Sequence, residues 1–238
     1  MKSLQELVRI HLGISLSTMQ VRQFELFESL LLKWNERLNL TAITDKDEIR
    51  IKHFFDSLSC FEIVQRESQF SVIDIGTGAG FPGIPLKIVN PALSLTLVET
   101  VGKKAEFCRK AVEELSLQNV KVFSTRAEMI GQESVHRESY DWAIARAVAP
   151  LSILAEYLLP LVRIGGNALA QKGPRSEDEI TNAGKAIQIL GGKLHSVHHV
   201  ILPENMGERT IIQIRKVKQT PPKFPRRAGR PKKNPLGS

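Results

Sequence analysis

Residues 71–83 read SVIDIGTGAGFPG. Val72, Ile73 and Ile75 form a short apolar run that carries one acid, Asp74, and stops at Gly76, Gly78 and Gly80. The pattern predicts a buried strand delivering its carboxyl end into a loop, which is where open α/β sheets bind ligands. Glycines at alternate positions permit turns that a Cβ would block and let a ligand lie directly on the main chain. A dinucleotide fingerprint, G-x-G-x-x-G, would need its third glycine at position 81, which is Phe81. What stands here is D-x-G-x-G-x-G.

Downstream, short β-rich runs alternate with helical stretches, the signature of a parallel sheet with helical crossovers. Strands are expected at 71–75, 93–99, 120–125, 140–147, 167–173, 193–201 and 209–216. Helices are expected at 83–90, 103–117, 151–162 and 176–190, with Ile164, Gly165 and Gly166 turning into the fifth strand. Upstream, residues 1–66 read as a helical extension. Ser17 with Gln20 resembles a capping box. After it Phe24, Phe27, Leu31, Trp34 and Leu38 recur at helical spacing and predict one buried face, Trp34 included. A second helix is expected over 45–65, where His53 and Asp56, three residues apart, read as a local hydrogen-bonded pair.

The chain of 238 residues is 42% hydrophobic and 24% charged, the composition of a soluble globular protein. No run approaches the roughly 18 apolar residues of a membrane span. Cys60 and Cys108 lie far apart with no C-x-x-C, so buried free thiols are expected, and neither zinc nor a disulfide framework. A reducing, cytoplasmic setting follows from that cysteine usage. Of the formal charge of +8, residues 215–238 hold nine Lys or Arg and no acid, which leaves residues 1–214 at −1. The basic character belongs to a tail, residues 217–238, expected to be a flexible arm that touches nucleic-acid phosphates.

The strand ends carry the candidate chemistry. Glu99 ends the second strand, 25 residues after Asp74, where nucleotide-binding α/β proteins place an acid on the ribose hydroxyls. Ionised, it is acceptor-only and suits a diol. Asp74 is costly to bury unpaired, and it is expected to accept from loop amides and shape the glycine turn. Ala127 and Glu128 follow the third strand, where an adenine ring would lie, and Arg146 closes the fourth. Arg126, Lys172 and Arg209 stand near strand ends or loops as candidate contacts to a base or to RNA.

The glycine loop is similar to the S-adenosylmethionine loop of class I methyltransferases. More specifically, the chain resembles the ribosomal RNA small-subunit methyltransferase G family, also called glucose-inhibited division protein B. The resemblance rests on KWNERLNLT (33–41), HFFDSL (53–58), DIGTGAGFPGIPLKI (74–88), STRAE (124–128), AIARAVAPL (143–151), QKG (171–173) and GERT (207–210). FPGIP after the glycines is far more specific than the glycines. Tails with PRR and PKKNPL are similar to those of several members; the second-strand acid is Glu here rather than Asp.

The resemblance implies a Rossmann-like α/β fold with a mostly parallel seven-strand sheet (67–216), an N-terminal helical extension (1–66) and a basic tail. It also implies S-adenosyl-L-methionine as cofactor and 16S rRNA of the small ribosomal subunit as partner. The reaction implied is methyl transfer to N7 of a guanine in the 530 loop. Carried over by motif, Gly76, Phe81, Ala127, Glu128 and Arg146 would contact cofactor, joined by Asp74, Gly78, Gly80 and Glu99 from the reading of the residues themselves. Guanine N7 has an available lone pair, so no general base and no metal are expected, and ARAVAP after the fourth strand lacks the Asp-Pro-Pro-Tyr-type motif that holds an exocyclic amine. A monomer is expected. The competing readings are a nicotinamide oxidoreductase, the same chemistry on another acceptor, and a non-catalytic RNA-binding or assembly protein.

Overall fold

The computed structural model describes residues 2–64, 70–174 and 176–237. Seven strands make one sheet: β1 (Ser71–Ile75), β2 (Ser94–Glu99), β3 (Val120–Ser124), β4 (Tyr140–Arg146), β5 (Val162–Lys172), β6 (Gly192–Ile201) and β7 (Glu208–Lys216). Their order is β3-β2-β1-β4-β5-β7-β6. β1 to β5 pair in parallel, whereas β7 runs antiparallel to both β5 and β6. The chain moves outward from β1 to β3, then returns to β4 on the other side of β1. That reversal opens a crevice at the carboxyl ends of β1 and β4.

The helices in chain order are α1 (Leu4–Leu12), α2 (Thr18–Leu38), α3 (Lys46–Ile49), α4 (Asp56–Leu58), α5 (Phe61–Val64), α6 (Gly83–Val89), α7 (Gly102–Glu114), α8 (Ala127–Ile130), α9 (Leu151–Leu158), α10 (Glu177–Ile189) and α11 (Arg230–Lys233). Successive strand residues point to opposite faces. Val72, Leu95 and Leu97 accordingly join Phe24, Phe27, Leu31, Phe54 and Phe107 in one core. Ile73, Ile75 and Val98 join Leu154, Leu158, Ile187 and Phe224 in another. The N-terminal helices therefore share their core with the sheet. Ser17 and Gln20 form the expected capping box of α2. The same Gln20 side chain also donates to the Ile88 and Val89 carbonyls, and Gln23 to that of Leu115. These bonds satisfy carbonyls at the ends of α6 and α7 that lack helical partners, docking α2 across both. Trp34 is half-buried, edge-on to Phe107 at 5.7 Å. Cys60 and Cys108 are free and buried.

Three expectations are corrected. The helix expected over 45–65 is not one α-helix: between α3 and α4 it widens to π geometry over Arg50–Phe55, and it turns at Ser59 and Cys60 before α5. Gln65 and the 66/67 boundary lie outside the described residues. Gly165 and Gly166 do not turn into β5 but bulge within it; Gly165 has φ +82°, and a Cβ on Gly166 would stand 2.6 Å from the Asp141 carbonyl oxygen. The tail is packed rather than free through residue 237. Phe224 is buried, Arg137 donates to the Thr220 and Phe224 carbonyls, and Arg226 pairs with the fully buried Glu156 at 2.6 Å. An uncovered carboxylate at Glu156 would be expensive, so that ion pair fixes where the tail runs.

Candidate active site

β1 ends in a loop in which Gly76, Gly78 and Gly80 all have positive φ. At Gly80 a Cβ would stand 2.4 Å from Ile84 Cδ1, so no side chain fits; at Gly78 it would meet nothing within 4 Å. The loop is thus close-packed beneath and open above Gly78, a cradle suited to a ligand lying on the main chain. The amides of Gly76 and Thr77 donate to the Val98 carbonyl and hold the loop to β2. Asp74 Oδ2 accepts from Thr77 Oγ1 at 2.7 Å and from the Gly83 amide at 2.9 Å, joining the two ends of the turn. Burial pushes its carboxyl up to about 7.

Glu99, at the end of β2, is buried, with one oxygen accepting from the Gly78 amide at 2.9 Å and the other from the Val101 amide at 2.8 Å. The Thr100 hydroxyl also donates to the second of these oxygens, at 3.3 Å, and the oxygen on Gly78 keeps a second acceptor site. Next to it a cavity of about 160 Å³ runs from Gly76 and Val98 to Ala127 and Glu128, with exposed Arg126 on its lining. Glu128 Oε1 accepts from the Gly229 amide of the tail at 2.9 Å. Tyr157 lines the same cavity as Glu128; burial beside the Glu128 and Glu156 charges pushes its phenol up to about 12, so it keeps its proton. A larger concavity, about 850 Å³, opens at the amino ends of β1 to β3, by Ser71, Ser94 and Val120, at the other end of the sheet from the glycine loop.

A second cluster stands at the carboxyl end of β4. Asp56 Oδ2 takes Arg146 Nη1 at 3.2 Å and Arg209 Nε at 3.0 Å, and Gln171 Nε2 donates to Oδ1 at 2.7 Å. The Arg146 guanidinium sits 5.0 Å from the Phe81 ring centroid, and His53 stacks on the same ring at 4.7 Å. His53 does not pair with Asp56. The π-helical segment breaks the three-residue spacing that would align them; His53 Nε2 meets Thr41 Oγ1 at 2.8 Å instead, and Nδ1 lies 3.4 Å from Arg146 Nη2. Arginine only donates, so Nδ1 accepts and Nε2 carries the hydrogen. Burial and the Arg146 charge hold the imidazole down to about 3, so it is neutral.

The structure brings Asp74, Gly76, Gly78, Gly80 and Glu99 to one strand-end cradle, with Ala127 and Glu128 across the cavity. Arg146 and Arg209 meet on Asp56. The Phe81 ring is 5% exposed and packs against His53 and Arg146. Lys172 is also set apart, its ammonium held by the Ala149 carbonyl at 2.8 Å and by Glu179 at 2.9 Å. Sequence reasoning paired Asp56 only with His53, and it did not single out Thr41, Gln171 or Tyr157, nor Gly229 and Lys232, which line the cavity from the tail. Thr41 and Gln171 stood within quoted motifs; Lys232 signalled only charge.

A glycine cradle at the switch point of a seven-strand sheet whose last strand is antiparallel, with an acid ending the neighbouring strand, defines a class I methyltransferase. Solved structures share the fold. A SAM dependent methyltransferase from Aquifex aeolicus superposes with a TM-score of 0.54 at 18% identity, over 74% of this chain and 96% of that one. Precorrin-6y C5,15-methyltransferase from Geobacter metallireducens gives 0.51 at 14% identity, over 67% and 87%. The sequence narrows the class: the chain belongs to the rRNA small subunit methyltransferase G family, whose profile matches residues 20–211. Ribosomal RNA small subunit methyltransferase G of Alkaliphilus metalliredigens is 47% identical over 94% of each chain. Its counterpart in Pelotomaculum thermopropionicum is 48% identical over the same shares.

Proposed function

We propose that this enzyme moves the methyl group of S-adenosylmethionine to N7 of a guanine in the 530 loop of 16S rRNA. The observation that carries the cofactor half is the open face of Gly78 tied to Glu99, beside a cavity that leads to Ala127 and Glu128. Gly76 and Gly78 would receive the cofactor along the main chain, Glu99 the ribose diol, and Ala127 with Glu128 the adenine. Bound there, the cofactor supplies a sulfonium methyl whose departure leaves the electron pair on sulfur. The acceptor half follows from family membership over residues 20–211.

The chain's own residues position and neutralise. Guanine N7 attacks through an in-plane lone pair, so no side chain has to remove a proton. Alignment of attacking atom and methyl can supply on the order of 7–11 kcal/mol. Charge arrives on the base during transfer, and the surroundings suit that change. His53 is neutral, and Asp56 offsets both Arg146 and Arg209. Those guanidinium groups remain able to orient a carboxylate, a phosphate or guanine O6 without a large uncompensated positive field.

The test is methyl transfer from labelled S-adenosylmethionine to small subunits from a strain lacking this gene, followed by base-specific cleavage. The expected result is label at a single guanine N7 in the 530 loop, lost with Glu99→Ala. Cofactor binding without labelled rRNA would overturn the acceptor assignment and leave the pocket assignment standing.

A further inference from the structure

The cavity beside Glu99 has one wall that does not come from the sheet. Gly229 and Lys232, from the C-terminal segment, line it together with Gly76, Ala127 and Glu128. The segment is not draped there by chance contact. Its approach is clamped three times before it arrives: Arg137 holds the Thr220 and Phe224 carbonyls, Gln132 donates to the Pro225 carbonyl at 2.6 Å, and Arg226 binds Glu156 through its backbone amide and its guanidinium. Pro225 also fits against Gly131, where an added Cβ would stand 2.8 Å from Pro225 Cγ. At the cavity itself the Gly229 amide donates to Glu128, and Pro231 is buried behind it.

We propose that residues 229–234 form a wall of the cofactor pocket, so that affinity for S-adenosylmethionine depends on the C-terminal segment and on its Glu128–Gly229 hydrogen bond. This rests on the cofactor reading of the cavity given above. The chemistry matches: an adenine edge presents ring nitrogens that accept and an amine that donates, and Lys232, a donor, and Glu128, an acceptor, both line the cavity. A buried ligand face also gains from each side from which water is excluded. The exposed Arg227, Arg230 and Lys233 of the same segment point its charge to solvent. The basic tail is therefore a pocket component first and an outward cationic surface second.

The experiment is calorimetric titration of the full chain and of a chain ending at Ala228 with S-adenosylhomocysteine. Hydrogen exchange of the full chain is measured with and without that ligand. The shortened chain keeps the Arg226, Phe224 and Arg137 clamps. The expected result is a Kd raised about tenfold by the truncation, or about 1.4 kcal/mol, a smaller rise for Lys232→Ala, and slower exchange over residues 229–234 when ligand binds. Equal affinity of the two chains, or exchange at 229–234 indifferent to ligand, would overturn the wall while leaving the cofactor pocket intact. If the full chain bound no ligand, the cofactor reading would fall and the wall with it. Should the shortened chain lose its cooperative unfolding, the exchange measurement and Lys232→Ala on the full chain decide.

Discussion

Asp56 of α4 and Arg146 at the end of β4 meet at 3.2 Å, with both side chains nearly out of solvent. This contact links the N-terminal helices to the strand that borders the crevice, and Arg209 of β7 completes it at 3.0 Å. One carboxylate thus balances two guanidinium groups at the carboxyl end of β4.

Replacing Asp56 by Asn removes the charge and keeps the shape. Two largely buried cations are left facing each other, and breaking a buried pair in this way costs about 3–5 kcal/mol. Urea unfolding of Asp56→Asn should show that loss, with methyl transfer falling further than cofactor affinity.

Glu99→Gln should behave differently. One carboxylate oxygen becomes an amide donor facing either the Gly78 or the Val101 amide, so one of two hydrogen bonds to the loop is lost. Charged hydrogen bonds of this kind are worth about 1.5–3 kcal/mol. Titration with S-adenosylhomocysteine should find affinity down about 10- to 150-fold; unchanged affinity would remove Glu99 from the cofactor site.

His53 should make the fold sensitive to acid. Its folded-state value is held from the ordinary 6.5 down to about 3, so its contribution is present above pH 6.5 and is lost as pH falls towards 3. The unfolded chain takes up the proton that the folded chain refuses, at a slope of at most about 1.4 kcal/mol per pH unit. Against His53→Gln, which keeps a donor for Thr41, the native protein should lose stability steadily between pH 6 and 4. Parallel stability curves for the two proteins would contradict the assignment.

Arg226→Ala should uncover the buried Glu156 carboxylate. Loss of about 3 kcal/mol or more is expected in denaturant unfolding. The double change Arg226→Met with Glu156→Leu should recover most of it, because an apolar pair of similar size needs no counter-charge.

The class of fold was legible before any contact was known. β1 ends where its apolar run does, at Ile75, because a strand buried on both faces tolerates few residue types. The glycines after it mark the turn for the same steric reason that Gly80 cannot accept a Cβ. The bulge in β5 was not legible: Ile164, Gly165 and Gly166 read as a turn, and only the pairing of Val162 and Asn167 with β4 on either side keeps the chain in the sheet there.

The site divides in the same way. Asp74, Gly76, Gly78 and Glu99 follow from local sequence, since a strand end and its loop carry their own geometry and need only the neighbouring strand to complete them. What Asp56 touches, which partner His53 chooses, and that Lys172 is bound to Glu179 are decided by residues dozens of positions apart. The tail shows the division most clearly. Its sequence announces seven positive charges over residues 217–238, which by themselves favour water and an extended arm. Its course is set by Glu156 and Glu128, two carboxylates buried elsewhere in the chain, because burying a charge or an acceptor without a partner costs more than ordering the segment that supplies one.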